Sequence, residues 1–137
     1  MKKLSLLFLI TVSLFVFACS KQEKSEKFRL LTTPVWIADS LLANKLDASG
    51  PGGLLEKFKG YAEFKEDGSG TFGSYIGNWV FNPAETEITI FSDSLPNRLP
   101  VTCDIIELKT TSLKITTVVP DKSTFEPINI RMTFKVK

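Results

Sequence analysis

The chain of 137 residues contains no histidine, and that single absence decides much of its chemistry. Imidazole general bases, histidine-dependent catalytic triads and most transition-metal sites go with it. The two cysteines, Cys19 and Cys103, cannot assemble a zinc site without histidines or further thiolates. A nucleophilic Cys103 needs a neighbouring base to depress its pKa. Lying between Thr102 and Asp104 in an alternating run, it reads instead as a small, inert strand residue. Glu66 and Asp67, ahead of Gly68-Ser69-Gly70, offer oxygen donors of the kind found in a calcium loop. The further spaced carboxylates of an EF-hand are missing, so the stretch reads as a hairpin turn. Gly50-Pro51-Gly52-Gly53 is followed by no Gly-Lys-Ser/Thr and is no phosphate loop. Paired carboxylates for glycoside hydrolysis depend on separations set by the fold, and nothing in the spacing favours them. No catalytic residue, metal or cofactor is therefore expected.

Cys19 has a different chemistry, set by what precedes it. Lys2 and Lys3, an apolar run from Leu4 to Phe17 and the small Ala18 are the three parts of an export signal. The run is shorter than the roughly 18–20 residues that cross a bilayer as a helix. With Val16-Phe17-Ala18-Cys19 as a lipobox, the N-terminus resembles a bacterial lipoprotein precursor. The resemblance implies a signal peptide over 1–18 and makes Cys19 the first mature residue, diacylated on sulfur and acylated on its amino group. It implies a bacterial envelope protein anchored in a membrane by its acyl chains. Ser20, where an aspartate would retain the protein at the inner membrane, favours the outer membrane. Cys103 is then left without a disulfide partner. Residues 19–29 read as a lipidated N-terminus and flexible tether, polar from Ser20 to Lys27 and with a basic surplus able to rest on anionic lipid.

The formal charge of +2 is that of Lys2 and Lys3, which leave with the signal peptide. Fifteen basic and fifteen acidic side chains remain, and beyond Arg29 the balance is eleven against thirteen. Without a basic footprint, nucleic acid is excluded as a partner.

The elements that must position any site lie in 30–137, where period 2 dominates. Ile128, Ile130, Met132, Phe134 and Val136 alternate with polar residues, as do Leu113, Ile115, Thr117 and Val119. Ile88 and Ile90 give another strand, as do Ala62 and Phe64. Phe72, Ser74 and Ile76 give the next, followed by Trp79–Asn82 and a run around Val101–Leu108. The first strand begins after Pro34 and includes Trp36 to Leu42. Asp67–Gly70 is the strongest hairpin signal. The segments 44–58, with one helical turn at Leu54–Phe58, and 92–100 are the long connections. No sustained 3.6-residue periodicity is visible. The expectation is an all-β fold, an antiparallel up-and-down barrel of about eight strands, because closure removes exposed edges. A two-sheet β-sandwich is the alternative.

The order of features resembles the lipocalin-like lipoproteins of Bacteroidota: the lipobox, a Trp-bearing first strand, Gly60-Tyr61-Ala62-Glu63-Phe64, Asp67-Gly68-Ser69-Gly70-Thr71 and Trp79. Ile106-Glu107-Leu108 and Ser112-Leu113-Lys114-Ile115 complete the likeness. It implies a lipocalin-like β-barrel over 30–137. The Gly-x-Trp of true lipocalins is absent from the first strand, where Pro34-Val35-Trp36 stands.

A ligand in such a barrel would meet the inward set, namely Phe64, Phe72, Ile76, Trp79, Phe81, Ile90, Leu113, Ile115, Ile130, Met132 and Phe134. Trp36 and Tyr75 are expected nearer the mouth. The candidate binding residues are accordingly Trp36, Phe64, Phe72, Tyr75, Trp79 and Met132. An eight-stranded barrel is just wide enough to be filled by side chains or to hold one small ligand, and so many large aromatics favour a mostly filled interior. The reading is a monomeric, lipid-anchored, non-enzymatic module binding either a small apolar ligand or an envelope protein. A carboxylate-dependent envelope hydrolase and a purely structural envelope component are the rivals.

Overall fold

The computed structural model describes residues 22–137. The export signal, the lipobox and Cys19 lie outside the described residues, as does the start of the tether.

The described part opens with a helix, α1 (Glu26–Thr32). Ser25 caps it, its Oγ accepting from the Phe28 N–H at 3.0 Å, and Glu26 places a negative charge in the first turn. Pro34 prevents its continuation. Residues 26–29, read from the sequence as tether, are thus helical, and the folded unit starts near Ser25 rather than at Leu30. The cause is burial: Leu31 is 0% exposed and Phe28 packs at the edge of the core.

Nine strands follow: β1 (Trp36–Ala43), β2 (Leu46–Asp47), β3 (Tyr61–Phe64), β4 (Ser69–Phe72), β5 (Tyr75–Phe81), β6 (Glu87–Phe91), β7 (Val101–Leu108), β8 (Ser112–Pro120) and β9 (Pro127–Val136). Apart from the two-residue β2, each pairs antiparallel with its neighbour in sequence, and β1 also pairs with β9, from Trp36↔Val136 to Ala43↔Ile130. That pairing closes β1 and β3–β9 into an eight-stranded up-and-down barrel. The short β2 is an extra strand that folds back on β1 through a turn with positive φ at Asn44 and Lys45. The sandwich alternative is excluded by the closure.

One departure from simple alternation changes which side chains face in. Phe72, Ser74 and Ile76 fit a single strand, but the chain reverses at Gly73-Ser74, separating β4 from β5. Gly73 has φ of 63° and lies against the backbone of Lys57 and Phe58, where a Cβ would overlap, so only glycine fits. The reversal turns Tyr75 inward and sends Ile76, expected in the lumen, to the outer surface at 76% exposure. A Cβ on Gly77 would likewise fall on the Phe91 carbonyl of the adjacent strand.

The two ends of the barrel differ. At the helix end lie the start of β1, the end of β9 and the turns 65–68, 82–86 and 109–111, and α1 sits across the opening. At the loop end lie the long connections 48–60 and 92–100 and the turns 73–74 and 121–126. The first connection carries a 3-10 turn (Glu56–Phe58), within the helical turn expected there, and it tucks Leu55 and Phe58 into the core.

Candidate functional site

The inward-facing side chains form one continuous apolar core, and among the described residues no polar or charged side chain is buried. All six candidate binding residues belong to it, between 0% and 5% exposed. Trp36 and Tyr75 sit within strands and point inward, not on loops at the mouth. Trp36 is first in β1, directly beneath α1, and its indole Nε1 donates to the Leu31 carbonyl at 3.0 Å. Tyr75 starts β5 at the loop end, its ring centroid 4.8 Å from that of Phe58, and burial raises its phenol pKa.

Phe64, Phe72 and Trp79 are brought together on β3, β4 and β5. Phe64 stands 5.2 Å from Phe72 and 5.6 Å from Trp79, the latter pair edge-on at 86°. Trp79 also meets Phe81 at 5.3 Å and Phe28 of α1 at 5.7 Å, while its Nε1 donates to the Lys65 carbonyl at 3.0 Å. These offset and edge-to-face arrangements are those the aromatic quadrupole prefers. Met132 lies on the opposite wall, in register with Leu41 of β1 and Ile115 of β8. The candidates thus form an aromatic cluster on one side and an aliphatic layer on the other.

Residues from outside the strands complete the core, and the period-2 reading missed them. Leu31 closes the helix end, while Leu55, Phe58 and Leu95 enter at the loop end, all under 10% exposed. The signal for Leu31 was the spacing of Phe28 and Leu31 one turn apart, after a serine able to cap. With these plugs in place, the wall residues are so enclosed that no water-sized space borders Trp36, Ile88, Cys103 or Leu113, each 0% exposed.

Two open depressions lie outside this core. One, of about 320 Å³, runs over β1, β7, β8 and β9, past Leu42, Asp104, Thr116 and Arg131. The other, of about 480 Å³, lies between α1 and the turns 65–68 and 82–86, bordered by Phe28, Glu66, Asp67, Trp79, Pro83 and Glu85. Its carboxylates are already engaged. Glu66 pairs with Lys24, Glu85 accepts from Ser25 Oγ at 2.6 Å, and Asp67 accepts from the Ser69 hydroxyl at 2.6 Å and its N–H at 2.9 Å. The Ser69 bonds hold the Asp67 carboxyl below its usual range. The hairpin expected at Asp67–Gly70 is accordingly present, its turn at 65–68 held by the Asp67 side chain and its Ser69 and Gly70 already in β4.

Elsewhere Glu107 accepts from Lys109 and Ser112, which lower its pKa to about 2. Asp121 is lowered to about 2 by Ser123 and Thr124. These are turn-stabilising carboxylates, with the opposite sign to a general acid, whose pKa must be raised. Cys103 is buried, and desolvation with a contribution from Asp104 pushes its thiol up to about 12. Among the described residues, no cluster of three or more cysteines, aspartates and glutamates is placed to hold a metal ion.

A closed eight-stranded antiparallel barrel with one end crossed by a helix and an apolar interior is a lipocalin-like fold. Among solved structures, bovine odorant-binding protein in complex with a selenium-containing odorant matches it with a TM-score of 0.52 over 85% of this chain and 76% of that one, at 12% identity. No family model and no curated protein matches the chain.

Proposed function

We propose that this protein is a lipid-anchored, non-enzymatic binding module of the bacterial envelope, one of the lipocalin-like lipoproteins resembled by its sequence, and that its ligand is a small apolar molecule. The observation that carries the ligand class is the barrel interior, closed and without a buried polar or charged side chain. Such a space rewards only apolar surface. The solved odorant complex on the same fold supports the reading. Anchoring is supported by Val16-Phe17-Ala18-Cys19 behind an export signal, and Ser20 supports the outer membrane. The carboxylates with shifted pKa are all lowered, which speaks for a binding rather than a hydrolytic role.

The interior is filled, so a ligand has to replace side chains. Leu55 and Phe58 are the replaceable ones, because they come from the irregular 48–60 segment while the wall is fixed by the strand ladders. Contact residues would be Tyr75 first, then Phe72, Phe64, Trp79, Met132 and Trp36 with depth. The test is a fluorescence titration with N-phenyl-1-naphthylamine on the chain and on Phe58→Ala. Saturable binding that tightens in Phe58→Ala is expected. Its absence from both proteins would refute the small-ligand reading. The second reading, contact with an envelope protein, is favoured by apolar side chains exposed at the loop end, Leu46, Leu99, Val118 and Phe125 among them. The anchor is tested separately: Cys19→Ala should lose labelled palmitate and detergent partitioning.

A further inference from the structure

The helix end and the loop end of the barrel are not equivalent with respect to Cys19. The folded unit begins at Ser25, whose Oγ bonds both the Phe28 N–H and Glu85. Lys27 Nζ donates to the Glu85 carbonyl at 2.9 Å. One residue before Ser25, Lys24 already pairs with Glu66 and lies 5.4 Å from the centroid of the Phe28 ring. Glu66 and Glu85 belong to two turns of the helix end, so the chain enters the barrel there. Only five residues, 20–24, then lie between Cys19 and Ser25, six Cα-to-Cα steps with a reach of at most about 20 Å at full extension. The ten residues of β9 at the tilt of a closed barrel give a height of about 25 Å. The connection is therefore shorter than the barrel is tall.

We infer that the helix end is the membrane-facing surface of this protein and that the loop end, with the 48–60 and 92–100 connections, points away from the lipid. The inference rests on the lipid-anchor reading and deepens it, replacing a free tether of residues 19–29 by a short one with a defined attachment. A barrel turned over to bring residues 121–126 to the headgroups would have to stretch residues 20–24 beyond their reach. The apolar side chains of the loop end, Leu46, Leu99 and Phe125 among them, are then held clear of the bilayer. The segment carrying Phe58 faces the same way.

The experiment uses the full chain, processed and acylated in a bacterial host. It is reconstituted into phosphatidylethanolamine/phosphatidylglycerol vesicles containing a lipid spin-labelled on its headgroup. A fluorophore is placed on Thr110→Cys, in the 109–111 turn, or on Lys122→Cys, in the 121–126 turn. Both positions are exposed, while Cys103 is buried and stays unlabelled. Quenching at position 110 several-fold stronger than at 122 is the expected result. Twelve Gly/Ser residues inserted after Ser20 should erase most of that difference. Protein that floats with the vesicles but is quenched equally at both positions, or more at 122, overturns the orientation and leaves the anchor standing. Protein that does not float overturns the anchor reading and this inference with it.

Discussion

Replacing Leu31 with alanine isolates the contribution of α1 to the fold. Leu31 is 0% exposed, its carbonyl accepts the indole N–H of Trp36, and its side chain plugs the helix end. Removing a fully buried leucine down to Cβ costs about 2–5 kcal/mol, depending on how far the site collapses. A helix of only seven residues can shift to fill part of the space, which places the expected loss at the lower end, about 2–3 kcal/mol. For a domain of this size that corresponds to a fall in Tm of very roughly 10 °C.

The assay is urea unfolding of the chain from Ser20 followed by tryptophan fluorescence, with Arg29→Ala as the exposed control from the same helix. The variant should unfold at lower urea with an unchanged slope, and its native emission should move to the red as water reaches Trp36. The control should stay within about 0.5 kcal/mol of the parent. If Leu31→Ala matched the control, residues 26–32 would be tether and not fold. The reach argued for Cys19 would then fail as well.

Gly77→Ala should destabilise by about 3 kcal/mol or more, because its Cβ meets the Phe91 carbonyl across the β5–β6 ladder; Gly50→Ala, with nothing nearby, should be close to neutral in the same urea titration. Cys103, its thiol pushed up to about 12, should resist a disulfide reagent at pH 8 and react fully in denaturant; rapid native labelling would contradict its burial. Because the raised pKa favours the neutral thiol in the folded state, its contribution is complete below about pH 8.5 and is lost as pH climbs toward 12. Glu107 and Asp121, both lowered to about 2, stabilise the fold above the ordinary carboxylate range. Stability should fall from about pH 4.5 down to pH 2, and Glu107→Gln should flatten part of that slope.

Strand content was legible wherever one face is wet. The alternation from Ile128 to Val136 marked β9, and Asp67-Gly68-Ser69-Gly70 marked the turn between β3 and β4, because both signals are local. Pattern failed at Phe72, Ser74 and Ile76. Their alternation is regular, but the reversal at Gly73 depends on the backbone of Lys57 and Phe58 lying against it, a contact no local rule contains. It failed again at α1, where seven residues carry only Phe28, Leu30 and Leu31 as apolar side chains, too short a stretch for helical periodicity to stand out. Closure through β1 and β9 joins segments nearly a chain length apart, and it was inferred from the need to remove edges rather than from any residue.

The candidate site shows why a barrel's inner face is easier to read than its use. Alternation identifies Phe64, Phe72, Trp79 and Met132 as inward, and the same apolar surface serves equally to pack a core or to wet a ligand. What decides between the two is whether anything else fills the space, and here Leu31, Leu55, Phe58 and Leu95 do so from helix and connections. The plugs are not held alike. Leu31 sits on a capped helix whose leading residues are tied to two turns by Lys24, Ser25 and Lys27. Leu55 and Phe58 hang from a segment with four glycines, Gly50, Gly52, Gly53 and Gly60, tied to its surroundings by scattered backbone bonds: Ala48 N–H to the Leu41 carbonyl at 2.9 Å, Ser74 N–H to the Lys57 carbonyl at 2.7 Å and Ala38 N–H to the Gly60 carbonyl at 2.8 Å. Opening therefore costs least at the loop end. If Cys19 carries the proposed anchor, its short connection into the helix end would turn the loop end away from the membrane, and the weaker plug and the route to Tyr75 and Phe72 would face the compartment from which a ligand arrives.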